Sequence, residues 1–220
     1  MTQKASRGER NARQPRPSLG GGAPARDREL RAQGRATLRK LLDAGRAAFE
    51  ERGFHAVRVD DIVKAAKTSH GTFYLYFANK EDLFKALTRD ALHDMEVIAQ
   101  EFPRVTSDDA GRAALRQWVQ RFCDTYATHA TVIRTLSQAD VIGEDFFSEG
   151  LQLLFRLSEA IAQGMTGAAP QAEHAELTAL ACLMMLERVN YLVSVDVRMP
   201  AAEMVDRISA IIFAAFHAAV

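Results

Sequence analysis

One short part of the 220-residue chain, between residues 58 and 80, combines basic, hydroxyl and phenol side chains that can contact a polyanion. The candidate residues are Arg58, Lys67, Thr68, Ser69, His70, Gly71, Thr72, Tyr74, Tyr76 and Lys80. Basic groups neutralise phosphates and release counterions, while hydroxyl and phenol groups donate hydrogen bonds to phosphate oxygens. A threonine methyl can contact a thymine, and a glycine lets the backbone approach closely. We therefore interpret this segment as a candidate surface for double-stranded DNA.

The helical spacing of apolar residues predicts the elements that position these side chains. Val59, Ile62 and Val63 predict a short helix, and Ser69 can cap the next one, which Phe73 and Phe77 hold inward. Two short helices joined by a brief turn form a helix-turn-helix, whose second helix lies in the major groove. The motif is predicted over about residues 58–77.

Longer helices are predicted on both sides of the motif. The first begins near Arg35 and stops at Gly53, and the fourth is capped by Asn79. Lys80 would then open the fourth helix and supply a further phosphate contact at its N-terminus. The alternative is that Tyr74, Tyr76 and Lys80 merely line the rim of a small helical bundle. Their joint spacing in a turn-linked pair of helices favours DNA.

Residues from about 35 to 92 resemble the DNA-binding domain of the TetR family of transcriptional regulators, in particular at residues 48–54, 59–62, 69–77 and 79–83. The resemblance covers about a quarter of the chain. It implies an all-α fold, in which a three-helix helix-turn-helix DNA-binding domain precedes a helical domain for ligand binding and dimerisation. We assign these domains to residues 35–95 and 96–220.

Three positions depart from the family pattern. Lys67 stands where the family usually has a glycine, and a left-handed lysine there would cost about 1 kcal/mol. His70 replaces a common lysine, so that one DNA contact is altered or depends on pH. Arg58 replaces the hydroxyl residue that caps the second helix, which removes a cap and adds a possible phosphate contact. The fold should tolerate all three changes.

The net charge of zero conceals an asymmetry along the chain. Residues 1–40 carry a net charge of +8 and the remainder carries −8. Residues 1–34 have no aromatic residue and only two leucines, which predicts a disordered basic tail. The tail is either a solvated leader, an upstream start or an arm that adds phosphate contacts. It also shares Arg-rich, acid-poor composition with transit peptides, although it lacks their amphipathic apolar face.

The second half of the chain shows helical spacing without strand alternation, with one helix through Leu115 and Tyr126 and a shorter segment around residues 131–136. Large or charged side chains on its predicted helices are candidates for the pocket of a small, largely apolar effector. They are Trp118, Phe122, Tyr126, Phe147, Phe155, Met184, Glu187, Arg188 and Tyr191. Ordinary core packing is the alternative for each of them.

The last predicted helix has a broad apolar stripe, which must pack against another surface. Its candidate dimer residues are Met204, Ile208, Ile211, Ile212 and Phe216. Packing within one subunit explains part of the stripe, and a homodimer explains the rest. Two recognition helices about one helical turn apart would read a pseudo-palindrome.

Other classes of protein fit the sequence less well. The six histidines and two cysteines are scattered without metal-ligand or nucleophile spacing, so we expect no enzyme, metal or cofactor. We find no secretory signal and no uncharged apolar run long enough for a membrane span, which predicts a cytoplasmic protein. The sequence therefore predicts a repressor that an effector releases from operator DNA. A ligand-responsive activator and a helical ligand-binding protein without DNA binding are the alternatives.

Overall fold

The computed structural model describes residues 32–136, 144–165, 174–195 and 200–217, and within these ranges the chain forms eight helices. They are α1 (Ala32–Arg52), α2 (Val59–Ala65), α3 (His70–Tyr76), α4 (Lys80–Gln100), α5 (Asp109–Leu136), α6 (Glu144–Gly164), α7 (Ala175–Ser194) and α8 (Ala201–His217). An isolated bridge between Val105 and Met165 is the only extended pairing in these ranges. The all-α prediction is confirmed.

Local sequence signals explain where the first three helices begin and end. Gly53 ends α1 with a φ of 75°, a conformation that glycine adopts without steric cost. The turn between α2 and α3 contains Lys67 with a φ of 51°, so the lysine does take the left-handed conformation. The Ser69 side chain accepts a hydrogen bond from the Thr72 amide at 3.1 Å, which confirms the predicted cap of α3.

The N-terminal helices share one apolar core. Leu41 and Phe49 of α1, Ile62 of α2, Phe73 of α3 and Leu83 of α4 are all buried in it. The rings of Phe49, Phe54 and Phe84 contact one another edge-on or tilted, with centroids 5.1 to 5.7 Å apart. The short helix α3 packs beside α2 and joins this core through Phe73.

A second core joins the end of α4 to α5, α6, α7 and α8. The helix α5 contributes Trp118 and Phe122 to this core, yet its Val132 is buried in the N-terminal core. The prediction of a separate short segment near residues 131–136 is wrong, because the apolar spacing continues unbroken and α5 runs to Leu136. One continuous helix therefore joins the two cores.

The helix α7 is long and apolar enough to cross a membrane by length and composition alone. Five of its residues pack into the interior of the protein: Ala179, Cys182, Leu183, Leu186 and Asn190. Among the described residues it is the one helix of this kind, and a core helix of a soluble protein meets the same criterion.

Candidate DNA-binding surface

The helix α3 presents one polar and exposed face to the outside of the protein. His70, Gly71 and Tyr74 are exposed, and Thr72 is partly buried. The opposite face carries Phe73, which is completely buried. A helix of seven residues is too short to be stable alone, so this apolar anchor determines which side of α3 meets a partner.

The structure contradicts the prediction that Tyr76 belongs to the outward face. Tyr76 lies three residues after Phe73, so the two side chains share the inward face of the helix. It is 8% exposed, and its hydroxyl donates to the Gly34 carbonyl at 3.2 Å. Tyr76 therefore connects α3 to the start of α1 and has no hydroxyl available for a phosphate in this arrangement.

Sequence reasoning missed Leu75 as a member of the outward face. Its side chain is 51% exposed, next to Tyr74 at 57%. Exposure of two large side chains on so short a helix indicates a contact surface, and leucine methyl groups can pack against a thymine methyl in the major groove. Helical spacing from Phe73 would have identified it, because residues 71, 74 and 75 lie away from the buried ring.

The remaining predicted residues lie in the turn before α3 or, in the case of Arg58, just before α2. Lys67, Ser69 and Arg58 are exposed, and Thr68 is partly buried. Arg58 precedes α2, and its backbone amide donates to the Asp61 carboxylate at 2.9 Å. This hydrogen bond, followed by the nearby Arg52 guanidinium, lowers the pKa of Asp61. The Asp61 carboxylate in the first turn of α2 is thus paired within the protein.

The predicted phosphate contact of Lys80 is wrong in this structure. Its ammonium group donates to three backbone carbonyls that follow α1, those of Phe54, His55 and Val57, at 2.8, 3.2 and 2.9 Å. It also lies 4.7 Å from the centroid of the Phe54 ring. These contacts use all three N–H donors of the ammonium group. Lys80 fastens the α1–α2 connection to α4.

Replacing Lys80 with alanine should therefore affect folding stability first. The Lys80→Ala change leaves three carbonyls without their donor, and we expect the free energy of unfolding to fall by about 1–3 kcal/mol. Urea denaturation followed by circular dichroism measures this. The matched control is Lys85→Ala, an exposed lysine of the same helix, which should change stability by less than about 0.5 kcal/mol. Equal effects of the two changes would contradict the assigned role.

Comparison with known proteins supports the interpretation of this surface. Residues 41–87, which include α2, α3 and the start of α4, match the family model described as bacterial regulatory proteins, tetR family. This match identifies residues 41–87 as a DNA-binding domain of the TetR family type. The matched range contains the cap Ser69, the outward face of α3 and its anchor Phe73.

Individual relatives agree with this family. The chain is 39% identical over 61 residues to the transcriptional regulator YdgC of Bacillus subtilis, which covers 28% of this chain and 31% of YdgC. It is 27% identical over 156 residues to EthR of Mycobacterium tuberculosis, covering 69% of this chain and 72% of EthR. The match spans about a third to a half of the length of the first curated relatives.

Solved structures of TetR-like regulators share the fold along most of the chain. The fatty acid degradation regulator FadR from Bacillus halodurans has a TM-score of 0.61 at 18% identity, with 84% of this chain and 97% of FadR covered. A transcriptional regulator from Rhodococcus sp. Rha1 has a TM-score of 0.65 at 16% identity, with 81% and 95% covered. These likenesses support the helical arrangement behind the DNA-binding helices.

The residues predicted to bind a ligand fall into four groups. Trp118, Phe122 and Tyr126 are buried in the second core, whereas Phe155 and Met184 are exposed by 58% and 39%. The side chain of Phe147 lies outside the described residues. For Phe155 and Met184 the prediction is wrong in this structure, because the apolar spacing of α6 and α7 does not determine which side faces the core.

Glu187, Arg188 and Tyr191 form the last group, and they lie with Tyr126 at the boundary between α5 and α7. The Tyr126 hydroxyl donates to the Glu187 carboxylate at 3.2 Å, and the Arg188 guanidinium lies 5.0 Å from the Tyr191 ring centroid. Burial raises the pKa of the Tyr126 phenol, and the neighbouring Glu187 raises it further. Glu187 and Tyr191 are partly buried, whereas Arg188 is exposed. Polar groups are thus grouped beside an apolar interior.

Two surface clefts lie away from these residues. One, of about 330 Å³, lies between α4 and α5 beside His129, and the other, of about 340 Å³, lies between α5 and α8 beside Phe213. Neither cleft is lined by a residue predicted to bind the ligand. Both clefts are therefore distinct from the α5–α7 boundary.

The structure corrects most of the predicted dimer residues. Four of the five side chains on α8 are buried within the subunit: Met204, Ile208, Ile212 and Phe216. Only Ile211 among the five is exposed, by 52%. The exposed side of α7 adds the apolar side chains of Leu177, Ala181 and Met184, three to four residues apart, and Leu192 near the end of the helix. A charge at Phe216 would disturb the subunit core and would not test a dimer.

Proposed function

We propose that this protein is a homodimeric repressor that binds operator DNA through α3 and is released by a small, largely apolar effector. The observation that carries the proposal is the exposed face of His70, Gly71, Tyr74 and Leu75, held outward by the buried Phe73. A dimer on an operator would block polymerase by occupancy. The corresponding test is a mobility-shift assay on DNA flanking its own gene, at low and at physiological salt. Absence of a shift in dilute buffer would contradict DNA binding.

Tyr74 should supply affinity that does not depend on sequence. Its exposed phenol can reach a phosphate while its ring covers the sugar. We expect Tyr74→Ala to weaken binding about tenfold on specific and unrelated duplexes alike, as loss of one phosphate contact would. Fluorescence anisotropy measures both affinities, and gel filtration checks the oligomeric state. Tyr76→Phe is the control, because its hydroxyl bonds to Gly34 inside the protein. A loss confined to the specific duplex would assign Tyr74 to base recognition.

A second copy of the chain is the proposed partner of the exposed apolar side of α7 and α8. Large contiguous apolar surfaces are rare on monomeric soluble proteins and indicate association. A twofold axis would place the same stripe opposite itself and would pair the two copies of α3 for a pseudo-palindromic site. Such a regulator works where the chromosome is, which agrees with the expected cytoplasmic location.

The proposed effector site lies between α5 and α7. Asn190 is buried there, and its amide donates to the Leu186 carbonyl at 2.8 Å and to Cys123 Sγ at 3.5 Å. A hydrogen bond to sulfur is weak. A polar group of a ligand could therefore replace the present hydrogen-bond partners of the Asn190 amide and of the nearby Tyr126 hydroxyl. The surrounding side chains of α5 are apolar, which suits an acyl-type compound.

This site can be tested without knowing the effector. Native mass spectrometry of the protein purified from cells should detect a co-purified small molecule, and decanoic and hexadecanoic acid serve as first probes in thermal shift assays. Occupancy should raise the melting temperature and weaken the DNA complex. Asn190→Leu should remove the shift if the site is correct. A shift that persists in this variant would place the ligand elsewhere.

A further inference from the structure

The imidazole of His70 is held by a residue from the other helix of the motif. His70 Nε2 lies 2.9 Å from Asp60 Oδ1, and the ring stacks on Tyr74 with centroids 6.4 Å apart. Asp60 belongs to the first turn of α2, whereas His70 begins α3. Both side chains are more than half exposed, so the pair lies on the surface that faces the proposed duplex.

The Asp60 carboxylate determines which ring nitrogen of His70 carries a hydrogen. An ionised carboxylate only accepts hydrogen bonds, so Nε2 must donate to it in both charge states of the ring. The two states then differ at Nδ1 alone. In the neutral ring Nδ1 is an acceptor, and in the protonated ring it is a donor. The pair thereby fixes the tautomer and leaves one atom for an outside contact.

That atom could read a base edge in the major groove. Adenine and cytosine present amino groups there, whereas guanine presents two acceptors. A neutral His70 therefore suits adenine or cytosine, and a protonated His70 suits guanine. The ionisable side chains in contact with the ring are Asp60 from α2 and Tyr74 from α3 itself, and the turn between the helices adds Lys67.

We propose that Asp60 is a positioning residue that presents Nδ1 of His70 to one base in each half-site, so that the preferred base changes with the protonation of His70. The proposal rests on the DNA binding proposed above.

The experiment selects bound duplexes from a random-sequence library with the purified full-length chain, at about pH 8 and at about pH 6. At one position of each half-site the wild type should prefer adenine or cytosine at the higher pH and shift towards guanine at the lower pH. Asp60→Ala should reduce discrimination there about three- to tenfold, the worth of one hydrogen bond, and leave other positions unchanged. Asp60→Asn should retain the preference at the higher pH, because the amide oxygen accepts the same bond.

Controls separate this role from charge and from folding. His70→Ala should lose the preference, and the double variant with Asp60→Ala should lose no more than His70→Ala does. Glu203→Ala removes an exposed acid from the first turn of α8 and should leave the selected sequence unchanged. An unaltered preference in Asp60→Ala would overturn the proposal while DNA binding stands. If Asp60→Ala folds poorly, the Asp60→Asn variant and the comparison of the wild type at the two pH values still test the proposal. If the wild type selects no sequence at all, the proposed function itself fails.

Discussion

Gly71→Glu should abolish DNA binding while the protein keeps its fold and oligomeric state. Gly71 is exposed on the outward face of α3, and a Cβ built there meets only Ser69 Oγ, at 3.8 Å. The protein itself therefore accepts a side chain at this position. In the complex the glutamate would occupy the closest approach of α3 to the duplex and add a negative charge beside the phosphates. We expect affinity to fall at least about 100-fold, to the range of non-specific binding or below.

Two further variants separate the causes of this effect. Gly71→Ala adds bulk without charge and should weaken binding less, while the gain in helix propensity of about 1 kcal/mol offsets any loss of stability. Gly150→Glu is the control, since a Cβ at this α6 glycine meets nothing within 4 Å. It should bind DNA as the wild type does. Mobility shift and thermal denaturation measure the two properties, and normal binding by Gly71→Glu would mean that α3 is not in the groove.

Local signals predicted the helix-turn-helix well, because each depends on residues close in sequence. A serine before a helix accepts from the helical amides wherever the helix lies, and Ser69 does so. The left-handed conformation of Lys67 was suggested by the resemblance, because the family usually has a glycine at this position of the turn. Such features need no knowledge of tertiary packing.

Residues whose roles depend on a distant partner were assigned less well. Tyr76 was placed outward from its residue type, although its spacing from Phe73 places it inward. The partners of Lys80 are carbonyls 23 to 26 residues earlier, so only the packing of α1 against α4 reveals them. The chemistry of Tyr76 and Lys80 suggested that each contacts DNA. In the tertiary structure each instead contacts a partner within the protein.

The apolar stripe of α8 illustrates a different limit. Helical periodicity shows that Ile208, Ile212 and Phe216 share a face but does not show whether that face meets the same subunit or another. In the structure α5 covers it, which leaves Ile211 and the outer side of α7 for a partner. The dimer prediction must therefore be tested at Ile211, the exposed residue of the five on α8.

Ile211→Asp should convert the dimer into monomers and, through that change, remove high-affinity operator binding. Ile211 is 52% exposed in the single subunit, so an aspartate there remains hydrated in a monomer and should not unfold it. In the proposed dimer the twofold axis buries two such carboxylates, each at a cost of about 3 kcal/mol or more. Sedimentation velocity over a range of concentrations measures the shift from dimer to monomer.

Phe155→Asp, at an exposed phenylalanine of α6, is the matched control and should leave the dimer intact. If only Phe155→Asp dissociates the subunits, the interface lies on α6. A folded Ile211→Asp monomer that still binds a full operator tightly would show that one recognition helix suffices, because the paired geometry would then contribute nothing to affinity.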